Sequence, residues 1–139
     1  MAREVLIDTS GLYALADRRD PSHVSAARWV ARLLKTSIVL VLTDYIIDEA
    51  CTLAKARAGG YGALQLLEII DRSEAFRFVW IGEEHFGSAK SFFRKHADHG
   101  YSFTDCTSFV VMQELRIRDA LTTDRHFTEA GFRPLLAVS

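Results

Sequence analysis

Four acids in this chain sit where apolar runs begin or end. Asp8 closes the run Val5-Leu6-Ile7, and Asp124 follows Leu121-Thr122-Thr123. Glu49 lies just after the apolar run at residues 38–42, and Asp105 opens the apolar stretch that runs to Arg116. Carboxylates are hard oxygen donors, and a few of them plus water suffice to hold Mg²⁺ or Mn²⁺. Such an ion lowers the pKa of water, orients it in line and stabilises a leaving oxygen, which is the chemistry of phosphodiester hydrolysis. The question is whether these acids meet.

The elements that would position them can be read from periodicity and punctuation. Residues 4–8 and 37–42 read as strands, the second a continuous apolar run suited to burial on both faces. Residues 10–17 form a short helix. Ser22 is an N-cap candidate for an amphipathic helix through residue 35, with Val24, Ala27, Val30, Ala31 and Leu34 on one stripe. Thr43 or Asp44 caps a helix to about residue 58, stopped by Gly59-Gly60, and a further helix covers 63–72. Residues 76–81 form a third strand, 83–96 a polar helix, 104–116 an apolar helix, and 119–123 and 132–136 two last strands. This alternation predicts an α/β fold with a mainly parallel sheet of four to five strands flanked by helices. Such sheets carry their sites at the carboxyl ends of the strands. Asp8 and Asp124 end strands there. The helices holding Glu49 and Asp105 both begin at that edge, so all four acids are expected to converge.

Each acid also has an ordinary explanation. Asp105 completes a capping box with Ser102. Asp124 can cap a helix over residues 125–130. Glu49 borders the buried stripe through its neighbours Tyr45, Ile46 and Leu53. Asp8 is hardest to explain away, because an acid closing a buried strand needs a partner. Four carboxylates at one edge repel, raising pKa values and costing stability, and a divalent cation removes that cost.

Composition sets outer limits. The chain has 139 residues, 49% hydrophobic and 25% charged, with a formal charge of −1. That is one globular domain, expected over residues 1–139, and disorder is excluded as its main state. No global basic field exists to draw in nucleic acid, so an RNA partner needs a local patch. The two cysteines, Cys51 and Cys106, are far apart and form no metal or disulfide framework. Glu4 and Asp8 interrupt any signal-like run, and the longest apolar run has no membrane-spanning length, so a cytoplasmic location is expected.

Four segments, in order, resemble the PIN domain family and specifically its VapC-type toxin ribonucleases. They are Val5-Leu6-Ile7-Asp8-Thr9-Ser10, Thr43-Asp44-Tyr45-Ile46-Ile47-Asp48-Glu49, Ser102-Phe103-Thr104-Asp105-Cys106 and Leu121-Thr122-Thr123-Asp124-Arg125-His126-Phe127. Cys106 stands where the family often has alanine. The resemblance implies that Asp8, Glu49, Asp105 and Asp124 form an acidic Mg²⁺ or Mn²⁺ site, supported by hydroxyls of Thr9, Ser10 or Thr123. It further implies an endoribonuclease toxin acting on RNA, a homodimer, and inhibition by a small antitoxin whose tail enters the acidic groove.

Other residues are read more plainly. His126 is close enough to Asp124 to bind a metal, but local packing or hydrogen bonding is favoured. Asp48 is read as solvated, Asp44 as a helix start, and Asp119 as lying at the wrong edge. Lys90 and Arg94, with Lys95 on the same helix, and Arg125 are candidate phosphate contacts; Arg18 and Arg19 could meet RNA or an antitoxin tail. Phe92, Phe93 and Phe103 are read as core or dimer contacts, as is the stripe Leu12, Leu15, Leu64 and Leu67. Two alternatives stand beside the nuclease: a PIN-type RNA- or protein-binding module with little catalysis, and a phosphatase using Asp8 as nucleophile. The latter lacks the usual second acid two residues on, where Ser10 stands.

Overall fold

A computed structural model describes residues 3–138. Five strands, β1 (Glu4–Ile7), β2 (Val39–Thr43), β3 (Phe76–Val79), β4 (Asp119–Leu121) and β5 (Arg133–Pro134), form one sheet in the order β3-β2-β1-β4-β5. Every pairing is parallel, with Val5 opposite Leu40 and Leu6 opposite Ala120. Parallel neighbours need crossovers, and six helices supply them and flank the sheet: α1 (Thr9–Ala16), α2 (His23–Lys35), α3 (Asp44–Arg72), α4 (Glu83–Lys95), α5 (Phe103–Leu115) and α6 (Arg125–Glu129). Leu6, Ile7, Leu40, Val41 and Leu42 are fully buried, as continuous apolar strands covered on both faces require.

Strands β1 and β4 are shorter than their apolar runs suggest. Asp8 and Asp124 leave the ladder to serve as N-caps of α1 and α6, so the carboxyl edge of the sheet is also a row of helix starts. Helix α1 begins directly against the end of β4. A Cβ on Gly11 would stand 2.0 Å from the Leu121 carbonyl oxygen, so only glycine allows this approach. Helix α5 is buried nearly all round, through Cys106, Thr107, Ser108, Phe109, Val111 and Met112, which fits its lack of a polar face. It packs against α3, α4 and α6.

The helix boundaries follow the expectations with one change. The break expected at Gly59-Gly60 is present: Gly59 (φ 73°, ψ −178°) leaves helical geometry and divides α3 into two helices that meet at a kink. Ser22 occupies the N-cap position of α2, but its side chain makes no capping bond. Instead its N–H donates to Asp20 Oδ1, 2.8 Å away. Thr43, rather than Asp44, caps α3 by accepting the Ile46 N–H.

Candidate active site

The carboxyl edge of the sheet opens into a cleft of about 400 Å³ whose lining includes Asp8, Glu49, Asp105 and Asp124. Thr9, Ser10 and Thr123 line it as well. The four acids come from four separate stretches of chain and are brought together by the parallel topology.

Asp8 is buried, with 6% of its surface exposed. As N-cap of α1 it accepts the Gly11 N–H at Oδ1 (2.9 Å) and the Ser10 hydroxyl at the same oxygen (2.8 Å). Its Oδ2 accepts the Thr122 hydroxyl at 2.7 Å. No cationic side chain among the described residues pairs with it. Burial pushes its carboxyl up to about 7, outweighing the three hydrogen bonds, and the nearby Asp124 charge pushes the same way. Thr122 links the two strand ends, since its hydroxyl oxygen also accepts the Asp124 N–H at 2.9 Å. Thr123 enters this network through its backbone, donating its N–H to Ser10 Oγ at 3.0 Å.

Glu49 lies in the second turn of α3, where its Oε1 accepts the Thr9 hydroxyl at 2.7 Å. Asp105 completes the capping box of α5: its N–H donates to Ser102 Oγ, and its Oδ2 accepts the Ser102 N–H, both at 3.0 Å. Burial raises its carboxyl above the ordinary range, and Asp124 adds to that rise. Asp124 caps α6 by accepting the His126 N–H at Oδ1, 2.9 Å. Three of the four acids therefore sit at helix starts, where the macrodipole and free N–H groups favour negative charge. Capping and convergence prove to be one arrangement.

The remaining candidates separate cleanly. Asp44 holds the Ile81 N–H at 2.8 Å, tying α3 to the chain leaving β3. Asp48 is exposed on α3. Asp119 is at the opposite edge of the sheet, held by Arg3 and Arg133. Lys90, Arg94 and Arg125 are exposed and lie outside the acidic cleft. The Lys90 ammonium sits over the Phe86 ring, and Arg125 pairs loosely with Glu129. Arg18 and Arg19 line a second, larger groove of about 1020 Å³ with Leu15 and Leu64. Phe92 packs on Phe109 and Tyr101, whereas Phe93 and Phe103 contact each other at the surface end of α4 and α5.

Sequence reasoning passed over Arg57, Thr122 and the reach of His126. Arg57 lines the acidic cleft beside Leu53 and Glu49, and the i, i+4, i+8 spacing of these three was a legible signal. Thr122 carried no such signal, because its choice over Thr123 depends on where β4 ends. His126 Nδ1 lies 3.2 Å from Asp105 Oδ2 and 3.3 Å from Asp124 Oδ1, so beside its neighbour Asp124 it also reaches an acid 21 positions earlier.

The fold and the site together define a parallel five-stranded α/β domain with carboxylates gathered at its carboxyl edge. Residues 5–133 match the family model described as PIN domain, and the chain belongs to that family. It is 30% identical over 129 residues to the 23S rRNA-specific endonuclease VapC20 of Mycobacterium tuberculosis, covering 92% of this chain and 95% of the relative. It is 26% identical over 132 residues to the Ribonuclease VapC26 of the same species, covering 94% and 93%. The crystal structure of the M. tuberculosis VapC20, described as a sarcin–ricin-loop-cleaving toxin, superposes with a TM-score of 0.82 at 28% identity, covering 95% of this chain and 98% of that one. FitAcB from Neisseria gonorrhoeae shares the fold at a TM-score of 0.62 and 14% identity, covering 94% of each chain.

Proposed function

We propose that this chain is a metal-dependent endoribonuclease toxin that cleaves phosphodiester bonds in RNA. The observation that carries this reading is Asp8: a buried carboxylate without a cationic partner among the described residues, lining an open cleft with three further acids. The donor set fits a hard divalent cation, because every group that Asp8, Glu49, Asp105 and Asp124 offer is a carboxylate oxygen. These four residues would hold Mg²⁺ or Mn²⁺. Bound there, the cation supplies Lewis-acid stabilisation of phosphoryl charge and activation of water.

The chain's own residues do the rest. Thr9, Ser10 and Thr122 fix the rotamers of Glu49 and Asp8 through their hydroxyls. Helix starts hold Asp8, Asp105 and Asp124 in place without neutralising them. Arg57, the one cationic side chain lining the cleft among the described residues, stands over the Tyr13 ring and would meet a substrate phosphate. The names of the two M. tuberculosis relatives support RNA as substrate and make ribosomal RNA the first to test. The family resemblance supports a homodimer held inactive by a small antitoxin; light scattering on the isolated chain and co-expression with its neighbouring reading frame test these two points.

The direct experiment incubates purified protein with intact ribosomes and, separately, with tRNA, in Mg²⁺, Mn²⁺ or EDTA, and maps fragment ends by primer extension. Discrete cuts that require a divalent ion support the reading. Cutting that continues undiminished in EDTA overturns the metal-dependent mechanism.

A further inference from the structure

We infer that His126 is a positioning residue that clamps Asp105 and Asp124, so that each presents its other oxygen to the cleft. The inference rests on the metal-site reading above and adds a residue to it.

The geometry is specific. The imidazole Nδ1 stands 3.2 Å from Asp105 Oδ2 and 3.3 Å from Asp124 Oδ1. The Asp105 contact is a hydrogen bond, and because an ionised carboxylate oxygen only accepts, Nδ1 donates in it; the Asp124 contact is a charge contact without hydrogen-bond geometry. Those two oxygens are also the ones engaged by the backbone: Asp105 Oδ2 takes the Ser102 N–H and Asp124 Oδ1 takes the His126 N–H. Every hydrogen bond described for the two carboxylates thus falls on one oxygen of each. Asp105 Oδ1 and Asp124 Oδ2 are left for a ligand. Among the described residues the cleft is lined by both carboxylates and not by the imidazole.

The ring is itself held. Tyr101 meets it edge-on with centroids 5.6 Å apart. Gly100 closes the far side, where even a Cβ would come within 3.1 Å of Nε2. Without the imidazole each acid keeps its helix-start hydrogen bond, but the link that holds the two repelling carboxylates together is lost. Partners of this kind, which orient metal-holding groups without touching the ion, are worth about ten- to a hundredfold in metal affinity. The rival assignment is direct ligation, since one ligand atom each of Asp105, Asp124 and His126 lie within 4.8 Å of one another.

The test titrates Mn²⁺ alone into wild type, His126→Ala, His126→Asn and Asp124→Asn by calorimetry, with circular dichroism and thermal melts to establish folding. Asparagine places an amide N–H near the position of Nδ1. His126→Ala is expected to weaken Mn²⁺ about ten- to a hundredfold, and His126→Asn to recover most of that loss. Imidazole ¹⁵N spectra of the wild type, independent of any variant, are expected to show a protonated Nδ1 before and after Mg²⁺ saturation. Unchanged Mn²⁺ affinity in folded His126→Ala, alongside loss in Asp124→Asn, overturns the clamp and leaves the metal site standing. An Nδ1 that loses its proton on Mg²⁺ addition makes His126 a ligand and also overturns it. Wild type that takes up no Mn²⁺ overturns the site and the clamp together.

Discussion

Asp8 and Asp119 are both buried acids at the ends of neighbouring parallel strands, yet their surroundings differ completely. Asp119, at the amino edge, is 5% exposed and lies between Arg3 and Arg133, the latter making a two-pronged contact of 2.9 and 2.8 Å. Asp8, at the carboxyl edge, is 6% exposed and has hydroxyls, an amide and three more acids around it. One charge is neutralised by the chain. The other is oriented by the chain and left uncompensated. A protein retains a costly buried acid of the second kind when something outside the chain completes it.

Identical substitutions at the two ends should therefore have opposite consequences. Asp8→Asn is expected to reduce RNA cleavage on the order of a thousandfold while raising the melting temperature of the metal-free protein. Asp119→Asn is expected to leave cleavage per folded molecule unchanged and to cost about 1–3 kcal/mol, below the value for a fully buried pair because both arginines are partly exposed. Denaturant melts and initial rates on the same preparations check both. Equal losses of activity in the two variants would break the comparison.

Gly11→Ala attacks the joint that sets Asp8 in place. The added methyl group meets the Leu121 carbonyl, so a loss of about 2–3 kcal/mol is expected from overpacking, measurable by urea melts.

The pH dependence sharpens the contrast. The Asp8 carboxyl is raised from its ordinary 3.8 to about 7 in the fold. Between those values the unfolded chain is ionised there and the folded chain is protonated. The folded state binds more protons, so this residue's contribution to stability is fully present below about pH 4 and is lost as pH rises through about 7. Metal-free wild type should melt lower at pH 8 than this residue's absence would allow, and Asp8→Asn should remove that part of the slope. Saturating Mg²⁺ should offset it in wild type alone.

The smallest effect is expected at Arg57. Arg57→Ala should raise KM for RNA about threefold at moderate salt with little change in kcat, and reduce the salt dependence of binding by the share of one phosphate contact.

Much of this was written locally in the chain. Apolar runs marked the strands, and the parallel order followed from their alternation with helices. That order alone placed Asp8, Glu49, Asp105 and Asp124 at one edge. What the sequence left obscure depends on tertiary register. Thr122 and Thr123 are indistinguishable until the last paired residue of β4 is known to be Leu121. His126 looked like a local partner of Asp124, and its second partner, Asp105, lies 21 positions earlier. The Gly11 contact with Leu121 joins residues with no sequence relation at all.

On the proposed reading, a divalent cation completes the uncompensated carboxylates. Anomalous diffraction from crystals soaked in Mn²⁺ tests it most directly. A manganese peak is expected within coordination distance of Asp8 and Asp124 in wild type, and none in Asp8→Asn crystals grown and soaked identically. A cleft that holds no manganese at saturating concentration, or a peak indifferent to loss of the Asp8 charge, would contradict it.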